Sequence, residues 1–99
     1  MIATVSFVPL GVGTSLSGYV AKAVEVIKES GLKYEFHAMG TNLEGDFDQI
    51  VSVVKACDEA LVGMGAKRVL IRLSMDDRRD KVSSMEGKKN SVNSRLAPQ

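Results

Sequence analysis

The glycine-rich segment at residues 11–15, Gly-Val-Gly-Thr-Ser, is the first place where residue types suggest chemistry. It precedes a predicted helix, and the N–H groups at a helix N-terminus favour a bound anion. The same residues also fit a flexible turn followed by a helix cap. The segment lacks the Gly-Lys-Ser/Thr ending of a Walker loop and the glycine spacing of a dinucleotide fingerprint. No arginine lies between Pro9 and Lys22, which argues against an acylphosphatase-like phosphate loop.

His37 is the single histidine of the chain. Strand alternation predicts that it shares a sheet face with Glu35 and Met39, where it is a surface or interface residue or, alternatively, a ligand contact. A catalytic triad or a zinc site needs further partners, and the sequence does not place them beside His37. We therefore predict no catalytic residue and no metal ligand here.

Asp76, Asp77 and Asp80 resemble a magnesium site at first sight. Adjacent residues at a strand end point in different directions, and Arg78 and Arg79 compete for the carboxylates. We expect ion pairs and a helix cap instead, and no cofactor. Nucleic-acid binding is also disfavoured, because the central strand at residues 69–72 carries no aromatic side chain for base stacking.

The elements that position these residues follow from hydrophobic periodicity. Alternation predicts strands over residues 2–8, 34–39 and 68–75, and helical spacing predicts helices over 15–30 and from Asp46 to about residue 64. Gly40, Thr41 and Asn42 have turn composition, so Leu43 and Glu44 are assigned at most a strand stub. Cys57 shares the apolar stripe of the second helix and is predicted to be a packing residue.

The order βαββαβ predicts a ferredoxin-like α+β domain over residues 1–99, with a four-stranded antiparallel sheet and both helices on one face. The other face is left bare and needs a partner, most simply a second copy. Residues 80–96 are predicted to form a C-terminal helix used in oligomer contacts. The narrow stripe of this helix consists of Val82, Met85, Val92 and Leu96.

Composition sets limits on function. The 99 residues are 44% apolar and 25% charged, with a net charge of +1, which is typical of one globular domain and gives no extended positive field for nucleic acid. One cysteine cannot form an internal disulfide, so a reducing, cytoplasmic location is expected. The first residues do not resemble a signal peptide, and no apolar run approaches the length of a membrane span.

Three motifs in matching order resemble the small thiamine-binding protein family, long described as uncharacterised. They are residues 13–20 (GTSLSGYV), 39–45 (MGTNLEG) and 68–78 (RVLIRLSMDDR). The resemblance covers nearly the whole chain and implies a ferredoxin-like fold, a tetramer of sheet-paired dimers and a pocket for thiamine or its hydroxymethylpyrimidine part. Gly18, where a larger residue is expected, and Gly87, which weakens a helix, depart from the expected pattern.

The resemblance implies a ligand site whose residues come from the first two motifs: Thr14, Ser17, Met39, Thr41, Asn42 and Glu44, with His37 as a possible addition. Glu44 is expected to anchor the aminopyrimidine, because no basic residue lies near it in sequence and an aminopyrimidine offers suitable donors. Alternatively, Glu44 is a solvated turn residue or part of the cap of the second helix.

Three functions remain open at this point. The leading one is a non-catalytic, homo-oligomeric binding protein for a thiamine-like small molecule. The second is a regulatory scaffold that acts through oligomerisation. The third is an enzyme that acts on a phosphorylated metabolite at residues 11–15, with His37 as acid or base.

Overall fold

The computed structural model describes residues 1–97. The element order is β1 (Ile2–Pro9), α1 (Ser17–Glu29), β2 (Lys33–His37), β3 (Gly40–Glu44), α2 (Phe47–Gly63), β4 (Val69–Asp76) and α3 (Met85–Leu96). The predicted ferredoxin-like α+β order of strands and helices is confirmed.

The four strands form one antiparallel sheet in the order β2-β3-β1-β4. β1 pairs with β4 over all eight residues, from Ile2 opposite Asp76 to Pro9 opposite Val69. Its pairing with β3 is shorter and ends at Val5 opposite Thr41. The second half of β1 therefore has a strand neighbour on one side only, and this asymmetry shapes the site described below.

The core lies between one face of the sheet and helices α1 and α2. Ala3, Val5 and Leu43 from the sheet pack against a cluster of buried helix residues, which comprises Ala23, Ile27, Ile50, Val53 and Cys57. α2 begins at a full capping box, in which the Asp46 carboxylate accepts from the Gln49 N–H and the Gln49 side chain accepts from the Asp46 N–H. Cys57 is fully buried, as expected of a packing residue.

The opposite face of the sheet carries no helix along most of its length, and we call it the open face. The register places on it the even-numbered residues of β1, β3 and β4 and the odd-numbered residues of β2. These include Thr4, Ser6, Glu35, His37, Asn42, Glu44, Leu70, Arg72 and Ser74. The predicted bare face is therefore present in the protomer.

Three predicted boundaries were wrong. α1 starts at Ser17, two residues late, because Leu16 occupies the cap position and no side chain caps the helix. Residues 40–42 are not a turn but the start of a five-residue strand, and the chain reverses at Ala38 and Met39 instead. The C-terminal helix starts at Met85 rather than residue 80, because Ser84 caps it.

Residues 77–97, which we call the C-terminal arm, extend from the compact body formed by residues 1–76. The Cα radius of gyration is 15.3 Å, whereas a compact chain of this length has about 13 Å. Within α3, Met85 is buried but Val92 and Leu96 are exposed. Gly87 fits its place in the first turn, because its N–H donates to the Ser84 hydroxyl and a Cβ there would lie 2.9 Å from that oxygen.

Candidate functional site

A cavity of about 410 Å³ lies where the β2–β3 hairpin and the first turns of α1 meet the second half of β1. We call it the edge cavity. Its walls are mostly apolar, and its lining includes Leu16, Val20, Val24, Phe36 and Met39. This size suits a small ring compound, since ligand pockets usually range from about 300 to 1,000 Å³.

On the side that faces this cavity, the Phe7 main chain has no strand partner within the described chain. In an antiparallel pair, every second residue exchanges hydrogen bonds with the same neighbouring strand. The Gly45 N–H donates to the Met1 carbonyl, so the odd-numbered residues of β1 are those that bond toward β3. Because β1–β3 pairing ends at Val5, the N–H and C=O of Phe7 point toward the cavity edge unpaired by β3.

Thr41 supplies a side-chain hydroxyl at the same cavity. It is the one buried polar residue of the described chain, with 5% of its surface exposed, and it lines the edge cavity beside Gly40 and Met39. Gly40 is required for the close approach of the hairpin to β1, because a Cβ there would lie 2.7 Å from the Val5 carbonyl oxygen. One apolar cavity is thus bordered by three polar groups: the Phe7 N–H, the Phe7 C=O and the Thr41 hydroxyl.

A second hollow, of about 420 Å³, lies on the open face and is lined by Thr4, Ser6, Arg72 and Ser74. Met39 lines both this hollow and the edge cavity, and so do Ser6 and Arg72. Met39 is 84% exposed. Its flexible thioether therefore stands between the two hollows and can lie against a ring bound in either.

His37 forms a local hydrogen-bond pair on the open face. Its Nε2 lies 3.1 Å from the Asn42 Oδ1, and its Nδ1 accepts from the Met39 N–H at 3.3 Å. These contacts select the imidazole tautomer that carries its proton on Nε2. His37 and Asn42 therefore stabilise the hairpin turn that carries Met39.

Glu44 lies at the opposite end of β3 from this turn, about 13 Å away at 3.3 Å per residue. Its Oε1 accepts from the Met85 N–H at 3.0 Å, and its Oε2 lies 4.0 Å from the Lys33 Nζ. The sequence suggested no basic neighbour, but strand pairing places Lys33 directly opposite Glu44. The carboxylate thus already stabilises the start of α3.

The structure brings together only part of the predicted ligand set. Met39 and Thr41 share the edge cavity, whereas Asn42 and Glu44 lie on the open face, because successive strand residues point to opposite faces. Ser17 lines an adjoining hollow that shares Val20, Val24 and Phe36 with the edge cavity, and Thr14 is exposed in the preceding loop. A single pocket within one protomer therefore does not contain all six residues.

Sequence reasoning missed three contributors to the site: the Phe7 main chain, Ser6 and Arg72. Ser6 and Arg72 lie directly opposite each other, which follows only from the β1–β4 register. The free Phe7 amide could be found only by knowing that β3 is three residues shorter than β1. Alternation alone does not carry that information.

The aspartate cluster forms ion pairs, as expected. Asp80 accepts two hydrogen bonds from Arg78, at 2.7 and 3.0 Å, and Asp77 pairs with Arg79. The Arg78 hydrogen bonds hold the pKa of Asp80 below its ordinary value. Burial raises the pKa of the Cys57 thiol to about 11, so this group stays protonated and unreactive at neutral pH.

No group of three or more potential metal ligands occurs within residues 1–97. In the same part of the chain, no helix is long and apolar enough to cross a membrane.

Comparison with known proteins places this architecture among described relatives. A family model described as thiamine-binding protein matches residues 3–93. A UPF0045 protein of Synechocystis is 44% identical over 92 residues, which cover 93% of this chain and 76% of that protein. A crystal structure of a protein from Methanocaldococcus jannaschii superimposes with a TM-score of 0.87 at 42% identity, covering 93% of this chain and 94% of that one.

A further similar structure comes from Thermotoga maritima and is described as that of a candidate thiamine biosynthesis/salvage protein. It has a TM-score of 0.80 and 27% identity, and the match covers 92% of this chain and 96% of that chain.

Proposed function

The chain belongs to the thiamine-binding protein family, and on that premise we propose that it is a non-catalytic binding protein for thiamine or its hydroxymethylpyrimidine part. It has a role related to thiamine. Four points go beyond that role and belong to the proposal. They are the ligand, the absence of catalysis, the oligomeric state and a cytoplasmic location. The single observation that carries the ligand assignment is the free main-chain edge of Phe7 in the edge cavity.

The chemistry of an aminopyrimidine fits that edge. The ring presents an amino donor beside a nitrogen acceptor, and one residue of an unpaired strand presents a C=O acceptor and an N–H donor on the same side. The apolar walls formed by Phe36 and Met39 would cover the ring faces. The Thr41 hydroxyl is placed to bond the hydroxymethyl group or a further ring nitrogen.

Oligomerisation is part of this proposal. Leu70 and Ile71 of β4 are exposed, the outer edge of β4 has no strand neighbour within the described chain, and most of the open face is uncovered. Such surfaces suit a second copy, and a tetramer of sheet-paired dimers would also bring together hollows of different protomers. In such a tetramer, four further predicted residues would contribute to the ligand site beside a partner chain: Thr14, Ser17, Asn42 and Glu44.

A second candidate, a regulatory scaffold, is favoured by one observation: Val92 and Leu96 project from the arm with 57% and 75% of their surface exposed. An enzyme acting at residues 11–15 gains less support, because the two ring nitrogens of His37 are engaged with Asn42 and the Met39 N–H. We therefore retain the binding protein as the proposal.

Titration of the ¹⁵N-labelled protein with hydroxymethylpyrimidine tests the site directly. We expect the Phe7 amide resonance to shift and its hydrogen exchange to slow. The Val5 amide on the same side of β1 is a built-in control, because it already pairs with β3. Shifts confined to residues outside the edge cavity, or no saturable shift, would refute the assignment.

Calorimetry with thiamine on two isosteric variants separates the candidate anchors. Thr41→Val should weaken binding by about five- to tenfold, the effect of one lost hydrogen bond of about 1 to 1.5 kcal/mol. Glu44→Gln should weaken binding by about ten- to a hundredfold if Glu44 is the charged anchor. An unchanged affinity for Glu44→Gln, with a folded oligomer, would leave the edge cavity as the site and exclude Glu44.

A further inference from the structure

Four cationic side chains line one groove in the C-terminal arm. The groove has a volume of about 520 Å³ and lies between residues 78–84 and α3. Its basic lining consists of Arg78, Lys81, Lys88 and Arg95, and no carboxylate lines it within the described residues. It is separate from both the edge cavity and the open-face hollow.

The charge of the chain is distributed very unevenly. Residues 77–97 contain six basic and three acidic residues, for a net charge of +3, whereas residues 1–76 contain seven basic and nine acidic residues, for a net charge of −2. The overall +1 conceals this division. An anion that approaches the protein is therefore attracted to the arm and repelled by the body.

The four cations differ in how they are held. Arg78 is fixed by its two hydrogen bonds to Asp80, and the Lys88 Nζ lies 2.6 Å from the Asp76 Oδ2. Lys81 and Arg95 form no ion pair within residues 1–97. The groove thus combines two anchored cations with two whose charge is balanced by no carboxylate of the described chain.

The α3 N-terminus is not the source of this attraction. The Met85 N–H donates to Glu44, and the Gly87 N–H donates to Ser84. Any anion in the groove would instead be bound by the cationic side chains and by the hydroxyls of Ser83 and Ser91, which also line it.

We propose that this groove is a binding site for a soluble phosphate ester or diphosphate. Guanidinium, ammonium and hydroxyl donors together suit phosphate oxygens. Val82 and Val92 also line the groove and would contact the organic part of such a molecule. The lining holds no aromatic side chain on which a nucleic-acid base could stack, which favours a small molecule over a nucleic-acid strand.

Calorimetry with inorganic diphosphate at constant ionic strength tests the proposal. We expect one saturable site per chain, with weaker binding of phosphate and sulfate. Lys81→Gln and Arg95→Gln should each weaken diphosphate binding by about three- to tenfold, and the double variant should abolish it. Lys55→Gln is the matched control, because Lys55 is exposed on α2, far from the groove in sequence, and forms no ion pair in the described chain. The affinity of the Lys55→Gln variant for diphosphate should equal that of the wild type.

Two further arms distinguish other sources of the signal. The protein should not bind vesicles of phosphatidylcholine with phosphatidic acid in preference to diphosphate. Light scattering should show the same oligomer with and without diphosphate. Preferential vesicle binding would assign the groove to a membrane surface, and dissociation by diphosphate would assign it to a contact between copies. Either result, no saturable binding, or equal losses in Lys55→Gln and Lys81→Gln would overturn the proposal.

Discussion

The compact body and the C-terminal arm of this protein are held in place by different forces. In the body, fully buried side chains such as Leu43, Ile50 and Leu61 fill the space between the sheet and two helices. The arm buries only Met85, and it is joined to the body by the Glu44 cap and by two lysine ion pairs. Apolar packing tolerates salt and acid far better than exposed ion pairs do. The two regions should therefore respond to different perturbations.

The largest expected effect is on core packing. Leu43→Ala should reduce the free energy of unfolding by about 3 to 4 kcal/mol, because it leaves a cavity in a fully buried site. Leu96→Ala is the matched substitution in the arm, where the side chain is 75% exposed, and should change the stability by less than about 0.5 kcal/mol. Urea denaturation measures both. Similar losses in the two variants would show that the arm packs as tightly as the body.

A smaller effect on stability is expected at the β2–β3 hairpin, which lines the edge cavity. Gly40→Ala should cost about 1 to 3 kcal/mol, because the new Cβ would lie 2.7 Å from the Val5 carbonyl oxygen. Gly18→Ala is the control, since a Cβ there meets nothing within 4 Å and alanine is the better helix former. Thermal denaturation should rank Gly18→Ala at or above the wild type and Gly40→Ala below it. The reverse order would contradict the close approach of the hairpin to β1.

The smallest effect concerns the ion pairs of the arm. The hydrogen bond from Lys89 lowers the pKa of Glu35, and the hydrogen bond from Lys88 lowers the pKa of Asp76. Carboxylates whose pKa is lowered in the folded state favour docking of the arm at neutral pH. The ordinary pKa values are 4.5 for Glu35 and 3.8 for Asp76. The stabilisation is lost as the pH falls below these values and through the lowered pKa values of the folded state. The protection of the α3 amides, measured relative to their intrinsic exchange rates at each pH, should then fall while the core amides stay protected.

Amide exchange at neutral pH provides the complementary measurement. In Lys88→Gln/Lys89→Gln, α3 exchange should rise about two- to fivefold and lose its dependence on salt. Lys22→Gln, which removes an exposed pair within α1, serves as the control and should leave α3 unchanged. Exchange of α3 that is equally slow in the double variant would mean that apolar contacts, not ion pairs, hold the arm.

The sequence predicted the body well, because its elements follow simple periodicity. Alternation in β1 and β4 assigned their faces correctly, and Asp46 marked the start of α2. The misassigned turn at residues 40–42 shows where local composition fails. Gly40 and Thr41 have turn propensity, but the approach of the hairpin to β1 and the burial of Thr41 place them in a strand.

The candidate site was less predictable than the fold, because it depends on contacts between distant segments. Glu44, one of the predicted ligand residues, accepts from the Met85 N–H, which lies 41 positions further along the chain, and no local sequence pattern predicts this contact. The edge cavity arises from the difference in length between two paired strands. Residue types indicate which groups could bind a ligand, but only the register shows which of them meet.

The pairing of β1 with β4 also has a consequence for how the chain folds. Every partner of β1 in β4 lies between 60 and 74 residues further along the chain. β1, which leaves the ribosome before β4, therefore pairs fully with β4 only after Asp76 has been synthesised. Until residues 69–72 have been synthesised, the second half of β1, from Ser6 to Pro9, has no strand neighbour at all. Such long-range closure carries a large loop entropy and slows folding. The rate-limiting step of folding should accordingly be the arrival of β4 rather than the formation of either body helix.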